Sequence, residues 1–303
     1  MPELPDLTMY IESLRTRIIG ETLIRARVKS PSLLRTFDPP LSAAEGKVVR
    51  GVDRIGKQIV VELESQLFLV VHLMIAGRFH WKRTGAGGRG KSDLAAFDFP
   101  NGTLLLTEAS TQKRASLHAV LGKSSLAVFN RGGLEVLTAS PVEFREALER
   151  QNHTLKRTLT DPRLFSAIGN AYSDEILHAA GLSPLRRSQK LSPAEIDTLY
   201  QTTKKVLEKW ILKLREEVGS GFPEKVTAFH PAMAVHGKFG KPCPVCGTAV
   251  QRIVYAANEC NYCPRCQTGG RILADRSLSR LLKNEWPESI EEWEGAPGLG
   301  KLS

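Results

Sequence analysis

The pair Cys243-Pro244-Val245-Cys246 and Cys263-Pro264-Arg265-Cys266 constrains this chain more than any other feature of its sequence. Two Cys-x-x-Cys knuckles with sixteen residues between them supply four thiolates for a tetrahedral zinc, and a linker of that length suits a β-hairpin. Four protein ligands leave no open coordination position, so the expected zinc is structural rather than catalytic. Cys260 stands near enough to Cys263 to compete as a ligand. The parallel Cys-Pro-x-Cys knuckles favour Cys263 with Cys266, which leaves Cys260 as a free thiol at the hairpin tip. All five cysteines fall between positions 243 and 266, and such clustering argues for a metal rather than disulfides. The opening MPELPDLTMY carries neither a basic n-region nor an apolar h-region, so a cytosolic address is expected.

At 303 residues the chain has room for two domains with cores of their own. No apolar run approaches the roughly 20 residues that cross a bilayer, so no membrane partner is expected. The net charge is +10; five glutamates and one lysine fall after residue 283, which leaves +14 on residues 1–283. That excess predicts a polyanionic partner, most often nucleic acid.

Leu7, Ile11, Leu14 and Ile18 recur at helical spacing after Asp6, read as an N-cap, and Gly20 is placed to stop the helix. From Leu23 to Thr107 the period becomes that of strands: Ile24, Ala26 and Val28 alternate with Arg25, Arg27 and Lys29, and QIVVELE and LFLVVHLMI are rich in β-branched residues. The Gly-rich stretch 84–92 reads as a flexible hairpin connection. Ser140 with Glu143 and Ser192 with Glu195 form capping boxes, the second with Pro193 at the first helical position of a helix to about Val218. DRSLSRLLKNEW suggests a further helix, and the acidic end a mobile tail. The expected fold class is α+β: an N-terminal β-sandwich with flanking helices over 1–135, a helical domain over 136–235, a β-hairpin zinc ribbon over 236–270, and an extension over 271–303.

Pro2-Glu3-Leu4-Pro5-Asp6, the segment Ile168-Gly169-Asn170 with Tyr172 and Glu175, and the zinc ribbon occur in one chain and in that order. Together they resemble the formamidopyrimidine-DNA glycosylase and endonuclease VIII family over roughly residues 2–270. The resemblance implies a DNA glycosylase and abasic-site lyase of base excision repair, monomeric and nucleoid-associated, acting on double-stranded DNA that carries a damaged base or an abasic site. It assigns the nucleophile to Pro2, proton transfer to Glu3, and contact with the phosphate beside the lesion to Lys57. Removal of Met1 would expose a secondary amine able to attack C1′ of a deoxyribose and form an iminium. Glu3 is placed to protonate the ring oxygen as the sugar opens. The resemblance also implies a helix–two-turn–helix motif that grips the DNA backbone, with Asn170 at a helix N-terminus, and it sets His72 and Lys156 among the DNA-binding residues. Met74 or Ile75 is a candidate to enter the gap left by an extruded base.

Four departures from the family pattern stand out. Asn258 occupies the place of the arginine at the zinc-hairpin tip, with Arg252 or Arg271 as candidates to compensate. The stretch Thr107–Ser116 lacks the family's void-filling phenylalanine, so Arg114 or Gln112 is expected to fill the void. The Gly219–Gly240 loop is shorter than the one that caps oxidised guanine in well-known members, and Asp6 replaces a glutamate. The rewritten void-filling stretch and the short loop weigh against 8-oxoguanine as the main substrate; Asn258 and the same stretch support a rival, a non-catalytic reader of damaged or abasic DNA, and a zinc-ribbon module without a repair role is a third reading. In any of them phosphate contacts dominate affinity. The dissociation constant for an abasic duplex is expected to rise about tenfold or more between 50 and 200 mM salt, measured by fluorescence anisotropy; a rise below about twofold would refute the charge argument.

Overall fold

Leu7, Ile11, Leu14 and Ile18 are all buried along one face of helix α1, Leu4–Ile18. The helix starts one turn earlier than Asp6 suggests. Glu3 is the N-cap, and Asp6 lies in the first turn, where its Oδ2 accepts the Glu3 N–H at 2.9 Å. Pro5 is tolerated there because the first helical N–H groups have no intrahelical partner. Beyond the helix, Gly20 takes φ +84°, which a residue with a Cβ resists.

The computed structural model describes residues 1–87, 90–224, 229–255, 258–273 and 289–295. The chain divides into two compact units, Met1–Gly132 with Lys209–Thr227, and Gly133–Glu208 with Ala228–Ser303.

In the first unit eight strands form two antiparallel four-stranded sheets. Strands β1 Arg25–Val28, β6 Asp93–Phe99, β7 Gly102–Glu108 and β5 Gly77–Lys82 make one; β2 Val49–Ile55, β3 Gln58–Leu63, β4 Leu67–His72 and β8 Ser116–Leu121 make the other. Val61, Leu63, Leu69 and Val71 of the second sheet and Phe79, Phe97 and Leu104 of the first surround one apolar void of about 20 Å³, closed by Ile18 of α1. The shared lining identifies a sandwich core.

Two expectations fail here. β1 is an edge strand, and Ile24 beside it is 51% exposed instead of facing the core. Arg27, with 28% of its side chain exposed, pairs with Asp98 at 2.7 Å. The Gly-rich stretch is not a hairpin connection, because β7 lies between β5 and β6. Its described part is tied down: Arg27 donates to Ala86 C=O at 2.8 Å and Lys29 to Gly90 C=O at 2.7 Å. Leu104, Leu105 and Leu106 explain the order, since so apolar a strand is best placed in a sheet interior.

The second unit is helical. α2 (Pro141–Glu149) begins with the complete Ser140–Glu143 capping box, and α5 (Pro193–Val218) with its Ser192–Glu195 counterpart, in which the Ser192 N–H donates to Glu195 at 2.7 Å. From Lys209 onward α5 belongs to the first unit. Between α2 and α5 lie α3 (Leu155–Thr160) and α4 (Asn170–Ala179). Phe144, Phe165 and Tyr200 pack ring to ring at 5.0 and 5.3 Å. The ribbon hairpin is β9 (Gln251–Tyr255) with β10 (Asn258–Tyr262), followed by α6 (Pro264–Thr268). The expected helix in DRSLSRLLKNEW lies outside the described residues. Part of the acidic end is ordered: Ile290–Gly295 is a helical turn, Ile290 is buried, and its N–H donates to Gly270 C=O at 3.0 Å.

Burial pushes the Asp6 carboxyl up to about 7. Unfolding therefore exposes a group that ionises near its ordinary value of about 3.9, while the folded chain holds the proton to higher pH. Stability is lost as pH rises from about 4 to about 7. Asp6→Asn removes this loss: relative to the parent, its unfolding free energy in urea should improve by roughly 1–4 kcal/mol between pH 4 and pH 8. A difference that does not change with pH would contradict the burial account.

Candidate active site and zinc centre

In the first unit, α1 brings the chain's N-terminus into a cluster of charged groups. Pro2 and Glu3 are both buried. Burial lowers the N-terminal amine's pKa, Arg78 and Lys57 lower it further, and Glu3 and Asp6 oppose them. His72 belongs to the same cluster: burial, Lys57 and the N-terminus together bring its pKa down to about 4. A neutral imidazole at physiological pH follows, so His72 is a hydrogen-bonding group here and not a cation. The cluster thus gathers Pro2, Glu3, Lys57 and His72, and adds Arg78, which the sequence reading passed over. Arg78 also fixes the neighbouring turn, donating to Ile75 C=O at 3.0 Å and to Gly77 C=O at 2.6 Å.

That turn runs from Leu73 to Gly77 and is closed by the Gly77 N–H on Leu73 C=O at 2.9 Å. Gly77 is required: a Cβ there would meet the Leu73 carbonyl oxygen at 2.1 Å. Met74 takes φ +55°, a left-handed conformation uncommon for a side-chain-bearing residue and often found at functional sites. The two candidates at this turn separate: the Met74 sulfur lies against His72 Nδ1, whereas Ile75 is 60% exposed.

Arg114 sits in the turn between β7 and β8. The buried Glu108 carboxylate organises that turn, accepting the Arg114 N–H at 2.9 Å and the Ala115 N–H at 3.1 Å. The Arg114 guanidinium is exposed and donates to Gln112 Oε1 at 2.5 Å, so the two residues expected here act as a pair.

In the second unit, Gly169 is the N-cap of α4 and Asn170 its first helical residue. The Asn170 side-chain amide donates to Glu259 C=O on β10 at 2.8 Å. Lys156 points beneath this helix terminus, its ammonium held by Asn170 C=O at 2.6 Å, Ser173 Oγ at 2.8 Å and Asp174 Oδ1 at 2.5 Å. With three donors engaged and 12% of its side chain exposed, Lys156 supports the helix terminus from within. Asp174 also accepts from His236 Nδ1 at 2.7 Å and the Asn261 N–H at 3.1 Å. Burial alone would raise the Asp174 carboxyl; the Lys156 charge and the His236 hydrogen bond hold it below the ordinary range. Asp174 and His236 carry no motif of their own, and sequence reasoning missed them.

The sulfur atoms of Cys243, Cys246, Cys263 and Cys266 all lie within 4.8 Å of one another. Cys243 to Cys266 is 3.9 Å and Cys246 to Cys263 is 3.4 Å. Tetrahedral zinc with bonds of about 2.3 Å separates its sulfurs by about 3.8 Å, so the donor set fits one structural zinc. Cys260 is not part of it and is not at the hairpin tip. It is the third residue of β10, buried with Ile253 and Tyr262, and burial pushes its thiol well up. Asn258 opens β10 opposite Tyr255. Arg252 stacks over Phe239 at 4.3 Å, and Arg271 is exposed at the ribbon's end.

Comparison with known proteins agrees with this arrangement along the chain. Residues 1–117 match the formamidopyrimidine-DNA glycosylase N-terminal domain, 136–218 the H2TH domain of the same enzymes, and 240–269 a zinc finger found in FPG and IleRS. A formamidopyrimidine-DNA glycosylase of Thermus thermophilus is 31% identical over 281 residues, covering 89% of this chain and all of that one. A formamidopyrimidine-DNA glycosylase-like protein of Mycobacterium tuberculosis is 40% identical over 151 residues, half of this chain and 94% of its own length. Among solved structures, the Lactococcus lactis Fpg bound to DNA containing an abasic site superposes with a TM-score of 0.77 at 26% identity, covering 88% of this chain and 99% of that one. MutM in complex with carbocyclic 8-oxo-G DNA gives 0.77 at 27% identity, covering 88% and 100%. With its N-terminal domain, H2TH domain and zinc finger all present and a full-length relative above 30% identity, this chain belongs to the formamidopyrimidine-DNA glycosylase family.

Proposed function

We propose that this protein excises an oxidised base from double-stranded DNA through an iminium on Pro2 and then cuts the strand by β/δ-elimination. The observation that carries the reading is the N-terminal amine itself: burial, with Arg78 and Lys57, outweighs the opposing Glu3 and Asp6, and the net effect disfavours its protonated form. An amine must be neutral to attack carbon, and the same surroundings act on Pro2 once Met1 is removed. The nitrogen lone pair bonds to C1′ as the glycosidic bond breaks, and the proton that the Pro2 nitrogen then sheds leaves with the base, which frees the lone pair for ring opening. Ring opening moves electrons onto the sugar oxygen, which Glu3 protonates. Loss of a C2′ proton expels the 3′ phosphate, a second elimination expels the 5′ phosphate, and water releases the amine.

Lys57 contacts the phosphate beside the lesion in this scheme. Ile75, exposed on a turn that Gly77 and Arg78 fix, is the apolar residue that enters the gap, and Arg114 with Gln112 faces the opposite base. His72, neutral in its setting, holds the turn through Met74. From the second unit, Asn170 and the α4 N-terminus bind backbone phosphate, and Lys156 serves by positioning that terminus. Extrusion of the base costs a few kcal/mol of unstacking, less for a damaged pair.

The test is single-turnover excision and strand cleavage on duplexes carrying oxidised purines, oxidised pyrimidines or a plain abasic site, after intact-mass analysis confirms removal of Met1. The parent should cut at least the abasic duplex. Glu3→Gln should slow cleavage about 100-fold or more, and Pro2→Gly should slow it further, with abasic-DNA binding retained in both. A parent that binds but never cuts would make the protein a non-catalytic reader; a Pro2→Gly variant with parental rates would remove Pro2 from the mechanism.

A further inference from the structure

Helix α4 reaches the zinc centre at its other end. His178, in its last turn, places Nε2 3.2 Å from Cys243 Sγ, with both residues buried. A neutral imidazole carries one N–H, and with the proton on Nε2 this contact is an N–H···S hydrogen bond from outside the two knuckles. A second tie runs through Gln267, whose Oε1 accepts the Cys263 N–H at 2.8 Å while its Nε2 donates to Leu182 C=O at 2.9 Å, just past α4. Each knuckle is thus bonded to α4 or to the turn that leaves it.

Four thiolates on a dication leave two net negative charges in a buried site. Hydrogen bonds to sulfur draw off part of that charge. They make each thiolate less ready to accept a proton or attack an electrophile, the two events that free the metal. The knuckle backbone contributes longer bonds, from the Val245 N–H to Cys243 Sγ and from the Cys266 N–H to Cys263 Sγ, both at 3.5 Å. We infer that His178 is a positioning residue for the zinc centre: its Nε2–H holds the Cys243 thiolate on the metal and makes α4 the outer support of the site. Outer hydrogen bonds of this kind orient metal ligands and set how tightly the metal is kept. The same helix carries Asn170 at its first turn, eight residues or about 12 Å away along the axis. Zinc retention and the geometry of that terminus are therefore one property of one helix.

The test uses the full zinc-loaded protein and two substitutions. His178→Phe keeps the ring's bulk without a donor; His178→Gln keeps an N–H at similar reach. Zinc release, started with a thiol-reactive mercurial and followed with a colorimetric chelator, should be about tenfold or more faster in His178→Phe and within about threefold of the parent in His178→Gln. In cobalt-substituted protein the thiolate-to-metal charge-transfer band should move to lower energy in the Phe variant only. If circular dichroism shows the Phe variant unfolded, His178→Met replaces it as the donor-free case. Equal release from the Phe and Gln variants, whether fast or at the parental rate, would overturn the assignment, as would an unmoved cobalt band in the donor-free variant.

Discussion

Two adjacent buried carboxylates in the middle of α4 hold the second unit together. Asp174 accepts from Lys156, His236 and the Asn261 N–H, and Glu175 accepts the backbone N–H groups of Ala234, Val235 and His236 at 2.8, 2.9 and 3.0 Å. Anions removed from water are costly unless every lone pair is met, and these two are met by donors from three separate stretches of chain. Charge-assisted bonds of this sort are among the stronger ones in a protein. They fix α3, the segment before the ribbon, and β10 against a single helix. Asn170 and His178 then extend the same helix to the hairpin at one end and to the zinc ligands at the other.

The first unit uses charge in the opposite sense. There the buried groups at the α1 terminus have their ionisation shifted by burial. An amine is pushed toward its neutral form and Asp6 toward its protonated form. The second unit removes titration from its core, while the first concentrates it where Pro2 and Glu3 lie. Perturbed acids and bases gathered in one place are the common signature of reactive sites.

Local features were legible in the sequence. The two knuckles, both capping boxes and the N-terminal helix depend on residues within a few positions of each other, and spacing reads such features directly. Long-range partners were not. Asp174 meets His236 and Asn261 across 62 and 87 positions, and nothing in the spacing of an isolated aspartate announces that. Lys156 reads as a DNA-binding cation, and its pairing with Asp174, 18 positions away, is not announced by any spacing. The same limit explains the strands: alternation located β1 but could not show that it lies at a sheet edge with Ile24 exposed, nor that β7 would insert between β5 and β6. Cys260 looked like a hairpin-tip thiol because the hairpin's register, which buries it against Ile253 and Tyr262, is set by pairing across the sheet.

The central claim is chemical: the reactive group is the processed N-terminal amine. Its most direct test is borohydride reduction of the protein mixed with abasic duplex, followed by proteolysis and mass mapping of the adduct. The account predicts a covalent protein–DNA species whose added sugar mass lies on the peptide that begins at Pro2. An adduct on an internal lysine such as Lys57, or no adduct from protein shown to lack Met1, would contradict it.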